Sequence, residues 1–446
     1  MLRIDSKLAR ALSAFGMAAL IAVAAGCGGG GGGGGGGSSS TSGSGSTNGS
    51  TTNVFTPAAF VSSTPATLAN NQMAVVVSTG LTGRAANIPM VSVTVCVPGS
   101  GTCQTINNVQ LDTGSFGLRL AKAALNSTMV GSLPVETLVG GQSLAECTGF
   151  ADGHTWGSVR TADVTLGSKT ASAVPVQILG DIAQSAAGGV SNACATGILN
   201  NTPSQLSANG ILGVGPAKYD CASTNTSDCT STGRANNQYY GCTSTGGVLS
   251  GCTDAAVPSA QQVTNPIRLF AADNNGVVVN MPTLADGGAV TASGVVTFGV
   301  GTQANNTVPG SGVTTYTLDH FGNSAGAQLN GSSRSWAFFD TGSNGLFFTD
   351  TNNPISPLCA SGFYCPSSTT SRTVGVQGFN GSSGSSTINI GNADQLFSDG
   401  GYAFNNVGAP QAIVNTIDLG MPFFYGRTIY MNYDTSTTVT SGTATS

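Results

Sequence analysis

Val109-Gln110-Leu111-Asp112-Thr113-Gly114-Ser115-Phe116-Gly117-Leu118 and Ala337-Phe338-Phe339-Asp340-Thr341-Gly342-Ser343-Asn344-Gly345-Leu346 are two copies of one pattern. Each sets Asp-Thr-Gly-Ser-x-Gly-Leu directly behind apolar, strand-forming residues. Thr, Gly and Ser are so common in this chain that one such stretch would mean little. Two Asp-headed copies in matching contexts amount to an internal duplication. A pair of ordinary Asp-Gly turns would explain one copy but not the repetition. Further on, Ile211-Leu212-Gly213 follows the first copy and Leu419-Gly420 the second, each framed by apolar residues, so the duplication extends beyond the motif.

Outward from the acids, Met90 to Val97 alternates apolar and polar residues with the period of a half-buried strand. Pro98-Gly99-Ser100-Gly101 turns the chain, and Val109 to Leu111 resumes as a strand. Further short strands are predicted at 163–166, 174–179, 276–279, 295–298, 337–339 and 428–433. Helical pattern is scarce, with one short turn expected at Leu120 to Leu125. The fold class expected from this alternation is all-β, built from many short strands.

Two carboxylates brought together can hydrolyse a peptide bond without a metal, a cofactor or a covalent nucleophile. One activates water as a base while the other polarises the carbonyl as an acid. At about 3 Å and an effective dielectric near 20, two full negative charges repel by roughly 5–6 kcal/mol, or about four pKa units. The singly protonated pair is therefore the working form. Gly114 and Gly342 let the backbone turn beside each acid, Thr113 and Thr341 are suited to hydrogen-bonding across the two loops, and Ser115 and Ser343 to donating to the outer carboxylate oxygens.

These residues resemble the catalytic loops of pepsin-type aspartic peptidases, and the resemblance spans about Met90 to Tyr433. It implies a bilobal double β-barrel with pseudo-two-fold symmetry, Asp112 and Asp340 as the catalytic pair, and a peptide or protein substrate. Asn209-Gly210-Ile211-Leu212-Gly213-Val214-Gly215 resembles the segment that supports the first catalytic loop. Leu419-Gly420-Met421-Pro422 resembles its second-lobe equivalent, although Asp418 stands where an apolar residue is usual. A flap hairpin is expected at Phe150-Ala151-Asp152-Gly153-His154-Thr155-Trp156-Gly157. Phe150 falls where the family has a flap Tyr, and Arg119 where many members have a Trp that bonds it. Trp156, or an Arg119 contact with an aromatic face, is the expected replacement. Phe150, Gly153, Trp156 and Arg119 are thus the expected cleft residues, and His154 an exposed one. The chain also resembles a family of bacterial secreted lipoproteins carrying this motif pair. The rival expectation is a peptidase-like module that binds peptide, glycan or a partner in the same cleft, since fold alone does not imply activity.

Of 446 residues, 40% are hydrophobic but only 7% are Asp, Glu, Lys or Arg, against roughly 25% in an average soluble protein. The net charge of −5 makes nucleic acid a poor partner. Residues 1–27 follow a secretory plan, with basic Arg3, Lys7 and Arg10, an apolar run from Ala11 to Ala25, then Gly26-Cys27. Ala24-Ala25-Gly26-Cys27 resembles a bacterial lipobox, which makes Cys27 the expected lipidation site; the alternative is a plain signal peptide with a coincidental Cys. Gly28 lacks the Asp associated with inner-membrane retention, so the expected location is the cell envelope, on the outer membrane. Residues 28–71, opening with ten glycines, are expected to be a flexible tether. Residues 72–290 form the expected first lobe, with the first motif, the flap and a Cys-rich insertion. Residues 291–446 form the second. One chain supplies both motifs, so a monomer suffices.

Ten cysteines follow Cys27, an even number suited to an oxidising compartment. Close pairs are Cys96/Cys103, Cys221/Cys229, Cys242/Cys252 and Cys359/Cys365, with Cys147 and Cys194 remaining; pairing by proximity is one of many connectivities. No C-x-x-C pair supports zinc, and no metal is expected. Gly322-Asn323-Ser324-Ala325-Gly326 matches the nucleophile-elbow pattern, but His154 and His320 both precede the Ser, so a polar turn is expected. Asp273-Asn274-Asn275-Gly276 lacks the downstream ladder of a calcium loop and is read as a hairpin turn.

Overall fold

The computed structural model describes residues 57–83, 85–183, 197–220, 237–245, 248–433 and 439–445. The leader, Cys27, the glycine run, Cys194, Cys221 and Cys229 lie outside these. The described chain is all-β and bilobal, with three sheets of 17, four and four strands. Helices are short, the longest spanning six residues at Ser127–Ser132 and Ala393–Ser398. The expected strands form, in several cases as parts of longer ones: Pro89–Cys96, Cys103–Asp112, Gly153–Leu166, Lys169–Leu179, Gly276–Asn280, Ala289–Phe298, Trp336–Asp340 and Arg427–Asn432. The expected turn after Leu120 is a 3-10 helix at Lys122–Ala124.

A platform joins the two halves. Ala289–Phe298 pairs antiparallel with Gln72–Val77 and with Gly276–Asn280, and the latter pairs with Arg427–Asn432 from the far end of the chain. The apolar residues of these strands, Val75, Val77, Val277, Val279, Val296, Ile429 and Met431, join one core with Leu111 and Leu118 of the first motif and Phe339 and Leu346 of the second. That shared core fixes the two acidic loops relative to each other. Two expected boundaries change. Ala58–Ser62, inside the span expected to be a tether, forms a strand parallel to Ala289–Phe298, with Phe60 opposite Thr291. The expected division at residue 290 falls inside the Ala289–Phe298 strand, because the platform strands pair across the lobes and end neither of them.

Cys96–Cys103, Cys242–Cys252 and Cys359–Cys365 are disulfides, as their spacing suggests. Cys147 is also disulfide-bonded. Among the described residues no helix is long and apolar enough to cross a membrane.

Candidate active site

Each acid ends a strand whose neighbours build the same local device. Cys103–Asp112 runs parallel to Gly210–Val214, which also pairs antiparallel with Phe116–Ala121, the strand leaving the motif. Gly213 thereby sits opposite both Asp112 and Gly117. In the second lobe Trp336–Asp340 runs parallel to Thr416–Gly420, which pairs antiparallel with Leu346–Phe348, and Gly420 sits opposite Asp340. The acidic turn is thus suspended between two strands that a third holds together. The apolar-apolar-Gly segment supplies that third strand in the first lobe, and Asp418-Leu419-Gly420 supplies it in the second.

The two turns interlock. Thr113 Oγ1 donates to Phe339 O at 2.9 Å and accepts from Thr341 N at 2.9 Å. Thr341 Oγ1 donates to Leu111 O at 2.7 Å and accepts from Thr113 N at 3.1 Å. Gln110 Nε2 adds a bond to Gly342 O at 2.8 Å. These bonds bring the two turns together, so that the charge of Asp112 acts on Asp340. The surroundings of the acids repeat as well. Gly114 N donates to Asp112 Oδ1 at 2.8 Å and Ser115 Oγ to Asp112 Oδ2 at 2.5 Å. Gly342 N donates to Asp340 Oδ1 at 2.7 Å and Ser343 Oγ to Asp340 Oδ2 at 2.8 Å. Glycine is required at both turns because each meets the opposite acid: a Cβ on Gly114 would lie 2.6 Å from the Asp340 carboxyl, and one on Gly342 2.5 Å from Asp112 Oδ1.

Burial, together with the charge of Asp112, pushes Asp340 up to about 8. The pair therefore keeps one proton through the acid range, and a pair with one proton offers an acid and a base side by side. A third acid adjoins it. Asp418, 5% exposed, accepts from Ser343 Oγ at 2.7 Å, and burial followed by the charge of Asp340 drives its carboxyl well above the usual range. Its signal in the sequence was an acid in an otherwise apolar supporting strand.

The expected flap is a hairpin of Ser143–Gly149 and Gly153–Leu166, closed by Phe150 N bonding to Gly153 O at 2.7 Å. Phe150 is partly exposed at its tip, with the Arg119 guanidinium 5.9 Å from its ring centre. The two positions meet as a guanidinium beside an aromatic ring. The other expected cleft residues face inward. Arg119 is 1% exposed and binds Glu146 Oε1 at 3.0 Å, Asp220 Oδ2 at 2.9 Å, Thr148 Oγ1 and Phe116 O. Trp156 is fully buried, edge-on to Tyr240 at 5.1 Å. Gly153 is buried because Ile198–Leu199 runs against it, and His154, expected to be exposed, is buried for the same reason. The cause is sheet extension: Asn237–Thr245 pairs with one arm of the hairpin and Ile198–Leu199 with the other.

Ser324, the Ser of the elbow-like pattern, is buried, with its hydroxyl bonded to Gly326 O and Ala337 N, which makes it a structural turn. Asp273 pairs with Lys169 at 2.6 Å, and Asn275 exchanges bonds with Val300, so that segment is a stitched turn. Cys359 and Cys365 lie near Asp394, but their disulfide removes them as thiolate ligands. A cavity of about 760 Å³ bordered by Lys122, Leu125, Val130, Leu179 and Asn201 does not include the acids.

The family described as "Protein of unknown function (DUF3443)" matches residues 67–445. No curated protein matches the chain in sequence. Among solved structures, the aspartic proteinase from Irpex lacteus aligns with a TM-score of 0.46 at 16% identity, over 84% of this chain and 97% of that one.

Proposed function

We propose that this chain, which belongs to the DUF3443 family, is an aspartic-type endopeptidase of the bacterial cell envelope, anchored through Cys27. The observation that carries the reading is the interlocking of the Asp112 and Asp340 turns, each motif glycine abutting the opposite carboxyl, with Gly N–H and Ser hydroxyl donors disposed alike around each acid. In such a pair the ionised carboxylate takes a proton from water while the protonated one gives its proton to the substrate carbonyl oxygen. The new C–O bond gives a tetrahedral diol. Its collapse breaks the C–N bond, the carboxyl proton passing to the leaving amine while a diol hydroxyl returns its own proton to the pair, which again holds one.

The test is cleavage of a denatured protein by the purified full-length chain across about pH 3 to 7, the span of perturbed carboxylate pairs. A bell-shaped profile is expected, abolished alike by Asp112→Asn, Asp340→Asn and the double variant, because each removes half of one unit. Full activity in Asp112→Asn, or none in the folded wild type, overturns the reading. One observation favours a second, non-catalytic reading, a binding module. Both arms of the hairpin are held by further strands, which limits the closure that a peptidase flap performs. Peptide binding without turnover in the same assay would select it.

A further inference from the structure

We propose that Asp418 is a positioning acid, held neutral, that donates a proton to Ser343 Oγ and thereby commits the Ser343 hydroxyl to Asp340. The inference rests on the peptidase reading for its effect on catalysis, but its core is a count of protons. Ser343 Oγ lies 2.8 Å from Asp340 Oδ2 and 2.7 Å from Asp418 Oδ2. A hydroxyl has one proton to give, so only one of these contacts can be its donation. The other needs a proton from a carboxylic acid. Asp340 Oδ1 already accepts Gly342 N–H, whereas Asp418 Oδ1 is buried with no hydrogen-bond partner among the described residues. The donors serve the single charge that Asp340 shares with Asp112, and the proton belongs on Asp418, the acid that lacks donors.

The surroundings agree. Asp418 lies opposite Phe338 on one neighbouring strand and Phe347 on the other. The charged groups that act on it are Asp340 and Asp112, both acids, and among the described residues no cation forms an ion pair with it. Among the described residues the first lobe shows no counterpart: Ile211 occupies the equivalent register, opposite Gln110 and Arg119, and Ser115 serves Asp112 without a second acid. The acid pair is therefore asymmetric one layer below its surface. A chain from the Asp418 carboxyl through Ser343 strengthens donation to Asp340 and favours its ionised form.

The experiment is aspartate 13Cγ NMR on the full-length protein, with the Asp418 resonance assigned by its loss in Asp418→Asn, alongside the pH profile of cleavage. Asp418 is expected to stay protonated from about pH 4 to 7, where a free Asp is ionised. Asp418→Ile, which installs the first lobe's residue, should raise the lower midpoint of the pair by about half to one unit, lowering kcat/KM on the acid side by about 3- to 10-fold. Asp418→Asn, whose amide still donates to Ser343, should restore the wild-type midpoint. Ionisation of Asp418 near pH 4, a lower midpoint in both variants, or no shift in Asp418→Ile would each overturn the proposal. If Asp418→Ile does not fold, the wild-type titration still decides. If the protein cleaves nothing, a protonated Asp418 and a displaced Asp340 midpoint sustain the proton chain while the peptidase reading falls.

Discussion

Thr113 and Thr341 each use one hydroxyl twice, donating to a carbonyl of the opposite loop and accepting the opposite N–H. Both residues are buried, at 2% and 0% exposure. Within this grip two hydroxyls, two N–H groups and two carbonyls satisfy one another where water does not reach, so the relation between the two lobes is set by hydrogen bonds that neither lobe can make alone.

Valine keeps the shape of threonine but removes its hydroxyl, so Thr113→Val or Thr341→Val strands a buried N–H and a buried carbonyl. A loss of about 1–3 kcal/mol for each unsatisfied group is expected. Each single variant breaks its own two of the four bonds, so the double variant, which breaks all four, should lose about the sum of the singles, and any departure from that sum measures the coupling between the two residues. Urea unfolding of the three variants and of Thr→Ser controls checks this; near-neutral single variants would mean that the grip does not hold the lobes.

Gly114→Ala and Gly342→Ala test the approach of the loops separately. Each new Cβ would enter the opposite carboxyl at 2.6 and 2.5 Å. The acids must move apart, so the shared proton is lost. Cleavage should drop at least as far as in the Asp→Asn variants while the circular dichroism spectrum is kept. An active Gly342→Ala would contradict the contact.

The pair and its grip were legible because the motif is local and appears twice. Asp418 was visible as an oddity, but its meaning lies in a contact with Ser343 across 75 residues of sequence. The hairpin was found from glycine spacing, yet the inward set of Trp156 and His154 was not. It depends on Tyr240 and on the strands Asn237–Thr245 and Ile198–Leu199, which come from polar, low-complexity stretches with no strand pattern. Ala58–Ser62 was hidden in the same way: an exposed edge segment, it owes its strand to the partner Ala289–Phe298 rather than to its own periodicity.

Arg119 sits between two buried acids, with Tyr239 OH donating to Asp220 Oδ1 at 2.7 Å. Arg119→Leu leaves Glu146 and Asp220 facing each other without a cation, and a loss of about 3–5 kcal/mol is expected. Arg119→Lys should recover little, since one ammonium cannot also reach Phe116 O and Thr148. Chemical denaturation of both variants checks this, and a stable Arg119→Leu would show the cluster to be dispensable.

The anchor is tested by labelled palmitate, which should enter the wild type in a lipoprotein-processing bacterium but not Cys27→Ser. Equal labelling of both removes the lipid-anchor proposal and leaves a plain secretory leader.

The last prediction joins the buried acids to stability. Asp220, Asp340 and Asp418 all hold their protons above the usual carboxylate value, in each case through burial first and then through a neighbouring acid. A group whose folded pKa is raised contributes stability that is fully present below its unfolded value, and loses it as pH rises through the folded one. The window runs from about 4, the ordinary value of Asp, up to about 8, the value reached by Asp340. Asp273 acts in the opposite sense. Although burial pushes it up, bonds from Lys169, Thr302 and Gln303 hold it below the usual value, so its contribution is lost only as pH falls beneath that window. The urea midpoint should therefore be highest near the acid end and fall toward pH 8. A single proton held across two pH units accounts for about 3 kcal/mol of that fall. Asp418→Asn removes one of the three protons from the linkage, so its stability should decline less steeply than the wild type over the same range. A urea midpoint that rises between about pH 4 and 7, or an Asp418→Asn slope equal to that of the wild type, would mean that these carboxyls are ionised in the folded protein.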